Sequence, residues 1–304
     1  MVVQSGLMGP SVSRFRPGAP LTRRALAKIV AGITREKQVV SDPDRSVTMA
    51  RLDRALVRAL RLAPAAHHVL GELRATHLSP PRRAGYEMVA RLLQLRTDHP
   101  ASQDSLELRP RDTATRAEAA WSVARILGFG SWDLGWANGE ARSFDLPASL
   151  TTWKRRVLTR AVRFIGFPYV WGGTSEHRQT LFGVTSRGGF DCSGFAWRVY
   201  KTQPYAGAPR LGTTIHGRTT YDMSGEIARS ARIASRNLVP ADVLFFGDRG
   251  VRSSSGEVGH MGIYLGKGWF IHSSGQGVTI MPFDGWYSDS FAWGRRVLRE
   301  AGLH

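Results

Sequence analysis

The hydrophobic period of this chain changes once, near residue 147, and that change constrains its fold more than any other feature. Before it, residues 21–33, 49–62, 82–95 and 116–127 place apolar side chains at i, i+3, i+4 and i+7. That spacing gives a helix one buried face. After it, residues 242–246, 258–266, 269–275 and 278–283 are short apolar runs separated by glycine turns, and they read as successive strands. A helical stretch at residues 153–166 opens this second part and ends at Gly166, ahead of Pro168. The two textures meet in residues 138–149, which are rich in turn formers and hold Pro147. We therefore expect an all-α repeat domain over residues 1–147 and an α+β domain over residues 148–304. A chain of 304 residues is long enough to give each a core of its own.

Composition excludes several classes. With 42% hydrophobic and 22% charged residues, the chain is that of a folded protein rather than a disordered one. No run of eighteen apolar residues occurs, so no membrane-spanning helix is expected. The single cysteine, Cys192, excludes an intrachain disulfide and any multi-cysteine metal site, and no metal or organic cofactor is expected. A formal charge of +18, spread over both halves, points to a polyanion nearby: nucleic acid, anionic lipid or an anionic wall polymer. No run of Lys and Arg is interleaved with aromatic residues, so specific nucleic-acid binding is not expected.

The first half repeats itself. FRPGAPLTRRALAKIV (residues 15–30) aligns with LRPRDTATRAEAAWSV (residues 108–123), sharing Arg-Pro, Thr-Arg, Ala and Val at one spacing. Weaker copies lie at residues 49–57 and 81–89. Repeated helical units usually stack into binding scaffolds. The pattern resembles the S-layer homology repeat, which anchors bacterial proteins to anionic cell-wall polymers. Only Thr22-Arg23 and Thr115-Arg116-Ala117-Glu118 keep its Thr-Arg core, and the copies lie closer together than in that family. The resemblance implies polymer contacts at Arg23 and Arg116. The plainer reading is threonine-capped helices with solvated arginines.

In the second half, GGFDCSGFAWRVY (residues 188–200) places Phe195, Ala196, Val199 and Tyr200 at helical spacing from Cys192. Cys192 thus belongs in the first turn of a helix, with Asp191 or Phe190 at the cap. Free N–H groups and the positive end of the helix dipole favour a thiolate there, and the same N–H groups can donate to an oxyanion. A base must come from elsewhere. Residues 258–266 and 269–275 form a hairpin turning near Gly266, with His260 and His272 opposite or diagonal on one face. Met261, Ile263 and Leu265 then point into the core. Two histidines so placed suit a general base and the group that fixes its tautomer.

YVWGG (residues 169–173), FDCSGF (190–195), PADVLFF (240–246), VGHMGIYLG (258–266) and FIHSSG (270–275), in that order, resemble the NlpC-type cell-wall cysteine peptidases. The resemblance covers about residues 153–298. It implies a papain-like fold of helices on an antiparallel sheet, with Cys192 as nucleophile, His260 as base and His272 as its orienter. Tyr169 would help hold the oxyanion or substrate, and Asp191 and Ser193 would contact the stem peptide. Residues 174–189 form a longer loop than is usual, a candidate lid or wall, and Pro-Ala-Asp stands where Pro-Gly-Asp is usual. The implied activity is hydrolysis of a peptidoglycan stem peptide, at the bond joining D-glutamate to the diamino acid. The same nucleophile chemistry would serve an N-acetylmuramoyl-L-alanine amidase or an acyltransferase. From another class, the alternative is a wall-binding protein with an idle cysteine site. Such functions place the protein in the cell wall or outside the cell. The first ten residues lack a signal-peptide pattern, so the expectation is a truncated start.

Overall fold

In the computed structural model, which describes residues 1–9 and 11–304, three threonine-capped helices begin at one point. They are α1 (Arg23–Thr34), α2 (Met49–Ala59) and α5 (Arg116–Leu127), with α3 (Ala63–Ala75) and α4 (Ala84–Leu92) between them. Thr22, Thr48 and Thr115 each accept a hydrogen bond from the backbone N–H three residues on, satisfying a free donor of the first turn. The residues before them close a ring. Leu21 N–H donates to Ala114 O (2.8 Å), Ala114 N–H to Val47 O (2.9 Å), and Val47 N–H to Leu21 O (3.0 Å). Three of the repeated segments thus share one backbone environment. The fourth, residues 81–89, starts α4 without a side-chain cap and stands outside the ring.

Two helices escape the hydrophobic pattern. α3 buries Ala65, Ala66, Val69 and Leu73, and α6 (Ser131–Ser143), among its described side chains, buries only Ala137 and Ala141. Alanine marks a buried face weakly, and Gly135 and Gly139 further dilute the signal in α6. Hence half of the stretch expected to be a linker, residues 138–143, is helical, and the chain leaves the helix only at Phe144.

The second half has the expected papain-like α+β arrangement. α7 (Thr152–Val162) leads to β1 (Thr174–Ser175), β2 (Gln179–Leu181), β3 (Val184–Ser186) and β4 (Gly189–Phe190). The expected long loop is therefore folded: β2 and β3 form a hairpin held between β1 and β4, which pair with each other. α8 (Cys192–Trp197) runs into a π-turn at Arg198–Thr202, followed by the short helices α9 (Leu211–Thr214) and α10 (Thr220–Gly225). A five-stranded antiparallel sheet follows, in the order β8-β7-β6-β5-β9. Its strands are β5 (Val243–Gly247), β6 (Val258–Gly266), β7 (Trp269–Ser274), β8 (Gly277–Pro282) and β9 (Phe291–Arg295). A short helix, α11 (Gly285–Asp289), crosses from β8 to β9. The first four strands follow the sequence pattern to within a residue or two; β9 does not stand out in it.

The two halves share a core. Phe144 meets Trp269 edge to face at 5.1 Å, and the side chains of Arg83 and Arg91 donate to the carbonyls of Ile165 (3.0 Å) and Gly166 (2.5 Å). No helix among the described residues is long and apolar enough to cross a membrane.

Candidate active site

Cys192 is the first residue of α8, and Asp191 is its N-cap. The Asp191 carboxylate accepts from the Gly194 N–H and from Ser193 Oγ (3.1 Å). Gly194 is required by a close approach: a Cβ there would lie 1.8 Å from the Gly173 carbonyl oxygen. The helix start can therefore press against the turn of residues 169–173. That turn is tied down by Phe190 N–H to Pro168 O (3.2 Å) and Asp191 N–H to Gly173 O (3.1 Å). A residue the sequence reading did not single out completes the corner. Arg218 donates to Ser193 Oγ (2.7 Å), to Gly172 O (2.8 Å) and to Asp191 Oδ2 (3.2 Å). Asp191 and Ser193, expected against the substrate, thus have partners within the chain.

The two histidines come together as the hairpin requires. β6 and β7 pair Ile263 with Ile271 and Tyr264 with Phe270, which sets His272 diagonal to His260. His260 Nε2 and His272 Nδ1 are 2.8 Å apart. Met261, Ile263 and Leu265 are fully buried on the opposite face. Phe246, the β5 partner of His260, stacks on its ring at 5.7 Å. On the strand of His272, Ser273 Oγ donates to Phe190 O (2.6 Å) and so ties the histidine strand to the segment before Cys192.

Electrostatics differ from the expectation of a helix-start thiolate. Burial, then the Asp191 charge, push the Cys192 thiol up to about 12, against backbone N–H groups of Ser193, Met261 and Cys192 itself. α8, which begins with Cys192, packs against β6 and β7, the strands that carry His260 and His272. Burial lowers His260 to about 4 and, together with the neighbouring His260 charge, holds His272 well below its ordinary range. At neutral pH the Cys192 thiol and both imidazoles are therefore uncharged. Tyr169 is raised above its usual value by burial, then by Cys192 and Asp191, so it is a neutral phenol near the sulfur.

The two arginines expected to meet polymer are also engaged. Arg23 donates to Asp42 Oδ2 and Ser41 O, both at 3.0 Å. Arg116 donates to Phe15 O (2.7 Å) and lies over the Phe15 ring.

Residues 166–297 match the model of the NlpC/P60 family. The C-terminal half carries an NlpC/P60 domain. Among similar curated proteins is "Probable endopeptidase YafL" of Escherichia coli, 34% identical over 45% of this chain and 47% of that protein. The "Gamma-D-glutamyl-L-lysine dipeptidyl-peptidase" of Bacillus cereus is 33% identical over 44% of this chain and 34% of its own length. The chain thus spans less than half the length of these relatives. A crystal structure of an NlpC/P60 family protein from Bacillus cereus is 28% identical, with a TM-score of 0.36, covering 51% of this chain and 42% of that one.

Proposed function

We propose that the NlpC/P60 domain, residues 148–304, is a cysteine peptidase that hydrolyses an amide bond in the peptidoglycan stem peptide. The favoured bond joins D-glutamate to the diamino acid, the linkage in the name of the Bacillus cereus relative. The observation that carries this reading is the His260–His272 contact on β6 and β7, the strands against which α8 packs with Cys192 at its start. His260 Nδ1 takes the thiol proton as Sγ attacks the carbonyl carbon, and the carbonyl π electrons move to oxygen. Backbone N–H at the helix start and the Tyr169 hydroxyl donate to that oxyanion. Collapse breaks the C–N bond as His260 returns its proton to the leaving amine. Water then attacks the thioester with His260 as base, releasing the acid and restoring the thiol. Arg218 positions the nucleophile by holding Asp191 and Ser193.

The test is digestion of defined muropeptides by wild type and Cys192→Ala, with products identified by mass spectrometry. Wild type should release the D-glutamate-terminated fragment, and Cys192→Ala should release none while keeping wild-type circular dichroism. Release of the intact stem from the sugar would indicate the amidase instead, and a transferred acyl group the acyltransferase. No turnover by wild type would leave the wall-binding alternative.

For residues 1–147 we propose a targeting unit that binds an anionic cell-wall polymer, which places the protein in the cell wall or outside the cell. A groove of about 1340 Å³ between α1 and the α2–α4 helices supports this. It is lined by Arg23, Arg51, Arg54, Arg58, Arg74 and Arg82, with Glu36 as the one acidic residue on its wall. Among the described residues, Arg51, Arg58, Arg74 and Arg82 make no ion pair. Arg23 lines this groove and Arg116 does not. Arg58→Glu/Arg82→Glu should weaken co-sedimentation with purified walls by on the order of ten-fold and flatten its salt dependence. Unaltered sedimentation would refute the assignment.

A further inference from the structure

One nitrogen of the histidine pair is unaccounted for. His272 Nδ1 meets His260, whereas His272 Nε2 is buried without a hydrogen-bond partner. A neutral imidazole carries a single N–H, and its position decides what the pair can do. With the proton on Nδ1, His272 would donate to His260 Nε2. His260 would then carry its own proton on Nδ1 and could not accept one from Cys192. With the proton on Nε2, His272 Nδ1 accepts from His260 Nε2–H, and His260 Nδ1 keeps its lone pair. Only this second tautomer serves the peptidase reading, on which the inference rests. It is also the tautomer that buries an N–H with no oxygen to receive it.

The surroundings offer one acceptor of another kind. The ring of Tyr287, in α11, lies 5.3 Å from that of His272 with the planes at 88°, so one ring presents its edge to the other's face. Phe270 flanks the imidazole in a tilted arrangement at 4.8 Å and 53°. The strand partner of His272 is Thr279, whose hydroxyl donates to Ile280 O rather than meeting the imidazole. Tyr287 is itself fixed, packed against Phe270 at 4.8 Å and Phe246 at 5.5 Å.

We propose that Tyr287 is a positioning residue: the face of its ring accepts His272 Nε2–H and so selects the tautomer that leaves His260 Nδ1 free to act as base. An N–H···π contact is weak, but it acts here on a choice between two tautomers of one ring. The phenol hydroxyl has no part in this role. What matters is an aromatic face at position 287.

The test is ¹⁵N NMR of the full chain labelled at histidine, with the His272 signals assigned through His272→Asn. Wild type should show Nε2 protonated and Nδ1 unprotonated. Tyr287→Leu should shift the tautomer ratio by about three- to five-fold toward Nδ1–H, with a similar loss in kcat and little change in KM. Tyr287→Phe, which keeps the ring face, should restore both. A wild-type His272 protonated on Nδ1 would overturn the proposal outright, even if Tyr287→Leu failed to fold. So would a wild-type tautomer in Tyr287→Leu, or a loss in Tyr287→Phe as large as in Tyr287→Leu. Failure of the peptidase reading would show separately, as intact muropeptides after treatment with wild type, because the tautomer is read without substrate.

Discussion

Cys192 occupies the place its sequence context marks out, yet its environment works against the charge that place favours. The N–H groups around the sulfur stabilise a thiolate, while burial and the Asp191 carboxylate oppose it more strongly, leaving a thiol at neutral pH. On the proposed mechanism the proton must then move during attack, and the base must be unprotonated beforehand. His260 meets that demand because burial lowers it to about 4. A base is active above its pKa, so kcat/KM should stay level from neutral pH down to about pH 5. It should fall only as His260 takes a proton, with an apparent pKa far below the roughly 6.5 of a free imidazole. Stability moves in the same direction. Both histidines are depressed in the folded chain, so the unfolded chain binds more protons below its own pKa. Their contribution is complete above pH 6.5 and is lost as pH falls toward 4, on the order of 3 kcal/mol for His260 alone. Initial rates taken after brief acid exposure separate the two effects. An acid limb at pH 6.5 or above would show that the base is not this half-buried imidazole.

At the scale of elements, what the sequence makes legible is what local pattern determines. The β6–β7 hairpin follows from its alternation and its glycines, and with it the diagonal placement of His260 and His272. The start of α8 follows from Asp191 and the spacing of Phe195, Ala196 and Val199. α3 and α6 are hidden because alanine faces carry little hydrophobic contrast, and the β2–β3 hairpin because its strands are three residues long with one apolar residue each, Leu181 and Val184. β9, no shorter than β5, is hidden because its apolar run stops after Trp293 at Gly294 and Arg295. Arg218, Ser273 and Tyr287 are a different case. Each reaches the site from its own element, and its relevance depends on what lies opposite: Ser193 and Asp191 for the arginine, Phe190 O for the serine, His272 for the tyrosine. Nothing in the residues flanking them encodes those partners. The same holds in the helical half. The Thr caps are legible at Thr22 and Thr115, while the ring joining Leu21, Val47 and Ala114 exists only once three distant segments meet.

For the molecule as a whole, the seam between the halves decides whether they unfold separately. Gly166 has φ +95°, a region costly for any residue with a side chain, and a Cβ there would lie 2.6 Å from Glu87 Cδ. Glu87 is itself buried, paired with Arg91 at 3.2 Å, and Arg91 donates to Gly166 O. Neither side can yield without exposing a charge in a region closed to water. The seam also reaches the site, since Trp171 N–H donates to Asp104 Oδ2 (3.1 Å) and Arg187 to Ser105 O (2.8 Å). The helical half thereby holds both the turn that carries Tyr169 and the hairpin beside it. Gly166→Ala should therefore cost on the order of 3 kcal/mol, combining backbone strain with the clash. In a chain of this size that lowers Tm by roughly 4–8 °C. Because the core is shared, calorimetry should record one transition in wild type and one, shifted, in the variant. Two transitions, of which the substitution moves only one, would mean that the halves fold independently and that the helical half does not support the site.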